Sequence, residues 1–147
     1  MVVHNVQVVY FIRYLGIDFN DQISFDKENL LTSLTADLNI LAHCTLLNPG
    51  QKLLILDQYI WPKLIYPLQC ASLSQFSDNY LKNIDKIIRS TVKEILQLPD
   101  DTPNAMLYSP KKWRGLGVIR AEWEASLQHF NNCQRLQKVD YAHLHHV

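Results

Sequence analysis

Apolar residues recur every three or four positions over most of this chain, a spacing that is typical of amphipathic helices. Leucines stand at positions 30, 34, 38 and 41, which predicts a helix over 27–44. Ser24 or Asp26 can cap the start of this helix. Asn48 followed by Pro49 then signals the start of a second helix, because proline suits the first helical position.

The second helix, predicted over 49–71, is apolar around most of its circumference. A helix of this kind belongs in the middle of a bundle. Pro62 should kink or divide it, because proline has no backbone donor and its ring crowds the preceding turn. Further apolar spacing predicts a third helix over 77–98.

The last part of the chain carries two more helix signals. Thr102 and Pro103 form a cap-and-proline start for a short helix that ends near Tyr108. After a loop over 110–117, helical spacing predicts a final amphipathic helix over 119–137. The apolar positions of this helix are Ile119, Trp123, Leu127 and Phe130.

The first residues follow a different pattern. The run Val2–Phe19 is rich in β-branched and aromatic residues and predicts one or two strands, with Gly16 interrupting the second. The expected fold class is therefore mainly α: a short N-terminal β-hairpin, a helical bundle and a final amphipathic helix. The corresponding divisions are 1–22, 23–108 and 109–147. Because an isolated two-stranded ribbon is marginal in water, we expect a larger sheet upstream in a longer parent protein.

Composition and charge narrow the function classes. The chain has 14 basic and 14 acidic residues among 147, so its net charge gives no general affinity for nucleic acid. Residues 63–114 are locally basic, with eight basic against five acidic residues. Three widely spaced cysteines without a CxxC motif favour reduced thiols in an intracellular protein. No apolar run reaches the roughly 18 residues of a membrane span, so no membrane partner is expected.

Four cations of the third helix form the first candidate site. Lys82, Lys86, Arg89 and Lys93 are spaced four, three and four residues apart, which places them within about 60° of arc opposite the apolar positions. Such a row could follow the phosphates of a nucleic acid. The alternative is a solvated helix face on which Asp85 and Arg89 form an ordinary ion pair.

A second basic cluster lies in the loop before the last helix. Lys111, Lys112 and Arg114 flank Trp113, and Gly115-Leu116-Gly117 follows them. Cations and an aromatic ring beside a flexible loop suit contact with a nucleic-acid strand, because bases stack on aromatic rings. The alternative is a surface loop with Trp113 folded into the core.

Other polar clusters indicate no catalytic or metal site. His143, His145 and His146 lie near the end of the chain, with Cys133 as the nearest thiol, but the paired cysteines of a zinc knuckle are missing. His43 and Cys44 are adjacent in sequence, so on a helix they point apart and do not form a nucleophile–base pair.

Several short segments, taken in order over residues 10–120, resemble the region downstream of the active site in reverse transcriptases of non-LTR retrotransposons. The similarity is greatest to the class that inserts into ribosomal RNA genes. The segments are Phe11-Ile12-Arg13-Tyr14-Leu15-Gly16-Ile17, Leu47-Asn48-Pro49-Gly50-Gln51-Lys52-Leu53, Tyr59-Ile60-Trp61-Pro62-Lys63-Leu64, Ile84-Asp85-Lys86-Ile87-Ile88-Arg89, Leu96-Gln97-Leu98-Pro99-Asp100-Asp101-Thr102-Pro103 and Arg114-Gly115-Leu116-Gly117-Val118.

The resemblance implies a role for each part. Tyr14, Leu15 and Gly16 would match the primer grip, which holds the primer end. The helices over 27–44, 49–71 and 77–98 would form the thumb, which closes on an RNA–DNA or DNA duplex. The loop from residue 114 and the last helix would begin the linker after the thumb. The resemblance also implies a nuclear location.

The chain lacks the Tyr/Phe-x-Asp-Asp motif of the palm, and the fingers are missing as well. The Mg²⁺ ions of the complete enzyme therefore have no ligands here, and we expect no polymerisation by this chain alone, because two-metal phosphoryl transfer needs converging carboxylates. The expected function is that of a reverse transcriptase fragment that holds the template–primer duplex and depends on a palm and fingers supplied elsewhere. The alternative is a helical protein-interaction domain that binds no nucleic acid.

Overall fold

A computed structural model describes the backbone of residues 11–14, 17–20, 26–70 and 73–138, and the side chains of residues 26–70 and 74–137. Most of these residues are helical, which confirms the prediction of a mainly α chain. The α-helices within the described ranges are α1 (Lys27–His43), α2 (Pro49–Ile55), α3 (Trp61–Cys70), α4 (Asp78–Ile95), α5 (Asn104–Tyr108) and α6 (Ala121–Lys138).

Two short strands precede the helices. Strand β1 (Phe11–Tyr14) pairs antiparallel with β2 (Ile17–Asn20), with Phe11 opposite Asn20 and Tyr14 opposite Ile17. Residues 1–10, 15–16 and 21–25, which include part of the predicted hairpin, lie outside the described residues. A complete N-terminal hairpin with a functional role therefore stays a prediction.

Side-chain caps fix the starts of the first two helices. The Asp26 carboxylate accepts the backbone N–H of Asn29 at 3.0 Å, so Asp26 rather than Ser24 caps α1. At α2, the Asn48 side chain accepts the N–H of Gln51 at 2.9 Å, and the Gln51 side chain accepts the N–H of Asn48 at 3.0 Å. This reciprocal capping box satisfies two donors that a helix start otherwise leaves open, and it confirms the predicted start at Pro49.

The predicted long second helix is divided by a π-helical turn. Leu56–Ile60 connects α2 to α3 in the π conformation, and the N–H of Trp61 bonds the carbonyl of Leu56, five residues back. Pro62 follows directly. In a regular α-helix its ring would press on the carbonyl of Gln58, and a widened turn relieves such a clash. Pro62 thus changes the helical register without ending the helix.

Large aliphatic side chains from α1, the π turn, α3 and α4 form the core. Helix α1 packs against α4, and α6 packs against both α3 and α4. Trp61 is 1% exposed at the centre of this arrangement. The other large side chains that are fully or nearly fully buried are those of Leu38, Leu56, Leu64, Leu68, Ile84, Ile88, Val92 and Leu107.

Helix α6 packs through small residues. Ala121 and Ala125 are fully buried, whereas Trp123, Leu127 and Phe130 are 61%, 52% and 59% exposed. Because the distance between two helix axes depends on the side chains at the contact, alanines allow α6 to approach α3 and α4 closely. The apolar spacing that predicted this helix therefore marks its outer face and not its buried one.

Candidate nucleic-acid interface

Helix α4 presents a polar face to solvent. Ser77 caps the helix by accepting the N–H of Tyr80 at 3.3 Å, and the helix buries Leu81, Ile84 and Ile88 against its neighbours. Between Asn79 and Ser90, the side chains on the opposite side of the helix are uncharged or basic. The exposed residues on that side are Asn79, Lys82, Asn83, Lys86 and Ser90.

Lys82 and Lys86 are the charged residues of this face. Both are exposed, and neither forms an ion pair or hydrogen bond with any side chain or backbone group in the described part of the chain. They are four positions apart in the sequence, which corresponds to about 6 Å along the helix axis. Two cations at this spacing, flanked by amide and hydroxyl groups, suit the phosphate and sugar groups of a nucleic-acid backbone.

Arg89 and Lys93, the other two cations of the predicted row, have structural partners. The Arg89 guanidinium donates to the Tyr108 hydroxyl at 2.9 Å and lies 6.0 Å from the centre of that ring. The Lys93 ammonium donates to the carbonyl of Asp100 at 2.6 Å. Both side chains are half-buried. The predicted row thus consists of two free cations followed by two that connect α4 to the segment around α5.

Asp85 does not form the surface pair that the sequence offered as an alternative. Its side chain is 2% exposed and accepts the backbone N–H groups of Ala121 at 2.6 Å and Glu122 at 3.3 Å, at the start of α6. Arg120 Nε lies 3.8 Å from the carboxylate. Burial raises the pKa of Asp85, while these two N–H groups, Arg120 and Arg89 act in the opposite direction.

This joint between α4 and α6 was missed from the sequence. The available signal was the position of Asp85 among Leu81, Ile88 and Val92, which the helical period places on the apolar side of α4. A carboxylate at such a position must find donors in the interior, because an unpaired buried charge is very costly. The sequence does not say which donors those are.

The glycine loop is held against α5, contrary to the expected flexibility. The N–H groups of Leu116, Gly117 and Val118 bond the carbonyls of Met106, Ser109 and Leu107 at 3.0, 2.8 and 2.9 Å. A Cβ on Gly115 would lie 2.1 Å from the Ser109 carbonyl oxygen, so only glycine fits there. At Gly117 the φ of +65° lies in the left-handed region, which also favours glycine.

The second basic cluster lies on the surface. Trp113 is 71% exposed, so of the two alternatives for this ring the structure has the exposed one. Lys112 lies with its ammonium 4.9 Å from the Trp113 ring centre. Lys111 is paired with Asp57 at 3.2 Å, whereas Arg114 is exposed and adopts a left-handed backbone conformation. This cluster therefore offers Lys112 and Arg114 to a ligand.

The remaining candidate residues lie partly outside the described residues. The backbone of Tyr14 belongs to β1, while Leu15, Gly16 and the histidines at 143–146 lie outside the described residues. Cys44, Cys70 and Cys133 are free thiols. Within the described ranges, no three His, Cys, Asp or Glu side chains come together as metal ligands, and no Mg²⁺ ligand is assigned there. No described helix has the length and apolar character needed to cross a membrane.

Curated proteins with similar sequences are Pol polyproteins of R2 retrotransposable elements. A segment of the Pol polyprotein from the type-1 retrotransposable element R2 of Nasonia vitripennis is 33% identical over 72% of this chain. The polyprotein of the type-2 element R2DM of Drosophila melanogaster is 33% identical over 90% of the chain. The chain is homologous to a region of the Pol polyproteins of R2 non-LTR retrotransposons. The resemblance to non-LTR reverse transcriptases is thereby confirmed.

The match covers a small part of each R2 polyprotein. The chain spans 10% of the Nasonia protein and 12% of the Drosophila protein. A third R2 polyprotein, from Popillia japonica, is 40% identical over 49% of the chain and is matched over 10% of its own length. No family model and no solved structure matches the chain.

Proposed function

We propose that this chain is the part of an R2-type reverse transcriptase that holds the template–primer duplex, without containing the catalytic centre. The observation that carries the proposal is the solvent face of α4, where Lys82 and Lys86 are exposed with no acidic residue between them on that face. Ion pairs with acidic neighbours would neutralise such cations. Their absence in the described residues leaves both charges for an external anion.

In this proposal the helices act as a thumb. Helix α4 is anchored through its buried aliphatic face, through the hydrogen bonds of Asp85 to the start of α6, and through the Tyr80 hydroxyl, which donates to the carbonyl of Lys27 at 2.8 Å. A rigid helix that carries its cations on the side opposite these anchors can support a duplex without reading its sequence, because phosphate contacts carry no base information. Strands β1 and β2, with Tyr14 and the neighbouring Leu15 and Gly16, would form the primer-grip-like element. We expect this role to be exercised in the nucleus, where genomic DNA is found.

The contact should be weak and sensitive to salt. Each phosphate that a lysine neutralises changes the slope of log K against log salt by roughly 0.7–0.9. Two free lysines should therefore account for a slope of about −1.4 to −1.8, with affinity in the non-specific range of about 10⁻⁴–10⁻⁶ M. The slope would be steeper only where further cations can reach phosphates in addition to their present contacts. These cations are Arg89, Lys93, Lys112 and Arg114.

The test is titration of a fluorescent RNA–DNA duplex at several salt concentrations. The double variant Lys82→Gln/Lys86→Gln should bind more weakly and flatten the salt slope by about 1.4–1.8. Both side chains are exposed, so the variant should stay folded, and circular dichroism checks this. The variant Lys112→Gln/Arg114→Gln removes the same charge from the loop and serves as the matched comparison.

Two results would contradict the proposed contact. An unchanged slope in folded Lys82→Gln/Lys86→Gln, with a flattened slope in the loop variant, would move the contact to the loop. No binding of any duplex by the wild-type chain at low salt would remove the duplex-holding function altogether.

A helical protein-interaction domain is the second candidate function, and one observation favours it. Trp123, Leu127, Phe130 and Leu136 expose large apolar side chains along α6. Exposed apolar surface of this kind often marks a protein contact. In that case the chain would bind no nucleic acid, and the lysines of α4 would simply be exposed to solvent.

A further inference from the structure

A cleft opens between α4, α5 and the start of α6. It has a volume of about 380 Å³, and Arg89, Asn104, Tyr108, Arg120 and Trp123 line it together with Ser109 and Ala105. This volume lies at the small end of the roughly 300–1,000 Å³ that small-molecule sites occupy. The lining combines two guanidinium groups, two aromatic rings, an amide and a hydroxyl group.

Trp123 provides the flat wall of the cleft. Its ring is 6.4 Å from the Tyr108 ring, centre to centre, and 61% of the residue is exposed. The Arg120 guanidinium lies 4.7 Å from the centre of the Trp123 ring and 5.7 Å from that of Tyr108. Arg120 thereby contacts both rings, and the exposed part of Trp123 is available to a planar ligand.

The charges around the cleft favour a ligand with little net charge. Arg120 donates to Glu122 at 2.5 Å and lies 3.8 Å from Asp85, so two carboxylates accompany the two arginines. A free phosphate or pyrophosphate would meet little net positive charge here. A neutral aromatic base needs none, because its stacking on an indole or a guanidinium plane does not depend on a net charge of the site.

The position of Arg89 connects the cleft to the basic face of α4. Arg89 follows Lys86 by three residues, or about 4.5 Å along the helix axis. One of its guanidinium nitrogens, Nη1, bonds the Tyr108 hydroxyl, and a guanidinium has five N–H donors in all. A strand whose phosphates lie on Lys82 and Lys86 would thus reach Arg89, which lines the cleft.

We propose that this cleft holds one unpaired nucleotide at the end of the duplex. Its base stacks on Trp123, the amide of Asn104 and the hydroxyl of Ser109 meet its polar edge, and Arg89 faces its phosphate. The inference rests on the proposed duplex-holding function, since it takes the ligand to be a nucleic acid. It adds a site for single-stranded nucleic acid that the basic face of α4 does not provide.

The experiment compares a blunt RNA–DNA duplex with the same duplex carrying a single-stranded overhang of four thymidines. Stacking of one base on an aromatic side chain strengthens binding by about 1–3 kcal/mol, so the overhang should improve affinity by roughly 5- to 150-fold. Trp123→Leu should abolish this gain, because leucine keeps an apolar side chain and removes the flat ring. Phe130→Leu is the matched control: it removes an exposed ring from the same helix outside the cleft and should retain the gain.

Each outcome decides between the two proposals. Equal affinity of both duplexes, or a gain that survives in folded Trp123→Leu, overturns the cleft proposal and leaves duplex holding intact. Binding of the overhang duplex without binding of the blunt one overturns duplex holding and supports the cleft. Inorganic phosphate that removes the overhang's gain at constant ionic strength identifies an anion pocket and contradicts base stacking.

Discussion

Helices α4 and α6 both have 18 residues, yet they meet the rest of the molecule in opposite ways. Helix α4 buries large aliphatic side chains such as Ile84 and Ile88 and turns a polar, basic face to solvent. Helix α6 buries Ala121 and Ala125 and leaves Trp123 and other large apolar residues outside.

The difference shows that helical periodicity and burial are separate properties. A spacing of 3.6 residues identifies a helix, but the neighbouring elements decide which of its faces is covered. On α4 the apolar face is the covered one, so the residues left outside are free to carry charge. On α6 the small residues are covered, and its outer face is suited to rings or apolar partners. The two helices therefore present surfaces for two kinds of contact.

The two helices should differ most in how far the free energy of unfolding falls when one aliphatic residue on each is truncated to alanine. Ile84→Ala removes a fully buried side chain and should lower the free energy of unfolding by about 2–5 kcal/mol, because the lost contacts leave a cavity. Leu127→Ala removes a side chain that is 52% exposed and should change it by about 0.5 kcal/mol or less. Urea unfolding monitored by circular dichroism measures both. Similar losses for the two variants would show that the outer face of α6 is packed in solution.

The next effect concerns the joint between the two helices. Asp85→Ala leaves the N–H groups of Ala121 and Glu122 without their acceptors and should cost about 1–3 kcal/mol. Asp85→Asn should cost less, because its amide oxygen can still accept one N–H group. Urea unfolding gives both values. Asp101→Ala, which removes an exposed carboxylate from a turn, is the control and should change stability by about 0.5 kcal/mol or less. Equal effects of Asp85→Ala and Asp101→Ala would rule out the joint.

The smallest effect is a pH dependence at the start of α4. Burial, and to a smaller extent Asp26, raises the pKa of Tyr80 from 10.0 to about 12. Because the folded pKa lies above the unfolded one, the contribution of Tyr80 to stability is complete below pH 10 and is lost as pH rises towards 12. Tyr80→Phe should be less stable by about 0.5–1.5 kcal/mol at neutral pH, because the bond to Lys27 is lost.

The difference in unfolding free energy between wild type and Tyr80→Phe should become smaller as pH rises from 10 to 12. Unfolding free energies of both proteins across this range give the gap directly, and the titrations of other groups cancel in the difference. A gap that stays constant up to pH 12 would mean that the Tyr80 hydroxyl titrates normally.

The helices themselves were predictable because their signals are local. Asp26 and Asn48 mark helix starts through bonds to the residue three positions further along, and Pro49 suits the first helical position. The structure has helices starting beside them. The prediction of α4 over 77–98 differs from the observed Asp78–Ile95 by one residue at its start and by three at its end, where Gln97 adopts a left-handed conformation. Pro62 was expected to affect the second helix, and a π turn precedes it.

The parts that the sequence did not predict depend on distant contacts. The buried role of Asp85 requires the start of α6, 36 residues further along the chain. Arg89 was placed in water by its helical position, but Tyr108 half-buries it. The glycine loop was expected to be flexible, yet three backbone bonds hold it against α5. The local sequence of each segment says nothing about its distant partner.

The central claim, that Lys82 and Lys86 contact the duplex, can be tested at the residues themselves. Acylation of lysines in the wild-type chain, with and without saturating RNA–DNA duplex, is followed by mass spectrometry. We expect the duplex to slow acylation of Lys82 and Lys86 several-fold, while Lys63, which is held by Asp37 on the facing helix, keeps its rate. Unchanged rates at Lys82 and Lys86 while the duplex is bound, above all with protection at Lys112 instead, would contradict the claim.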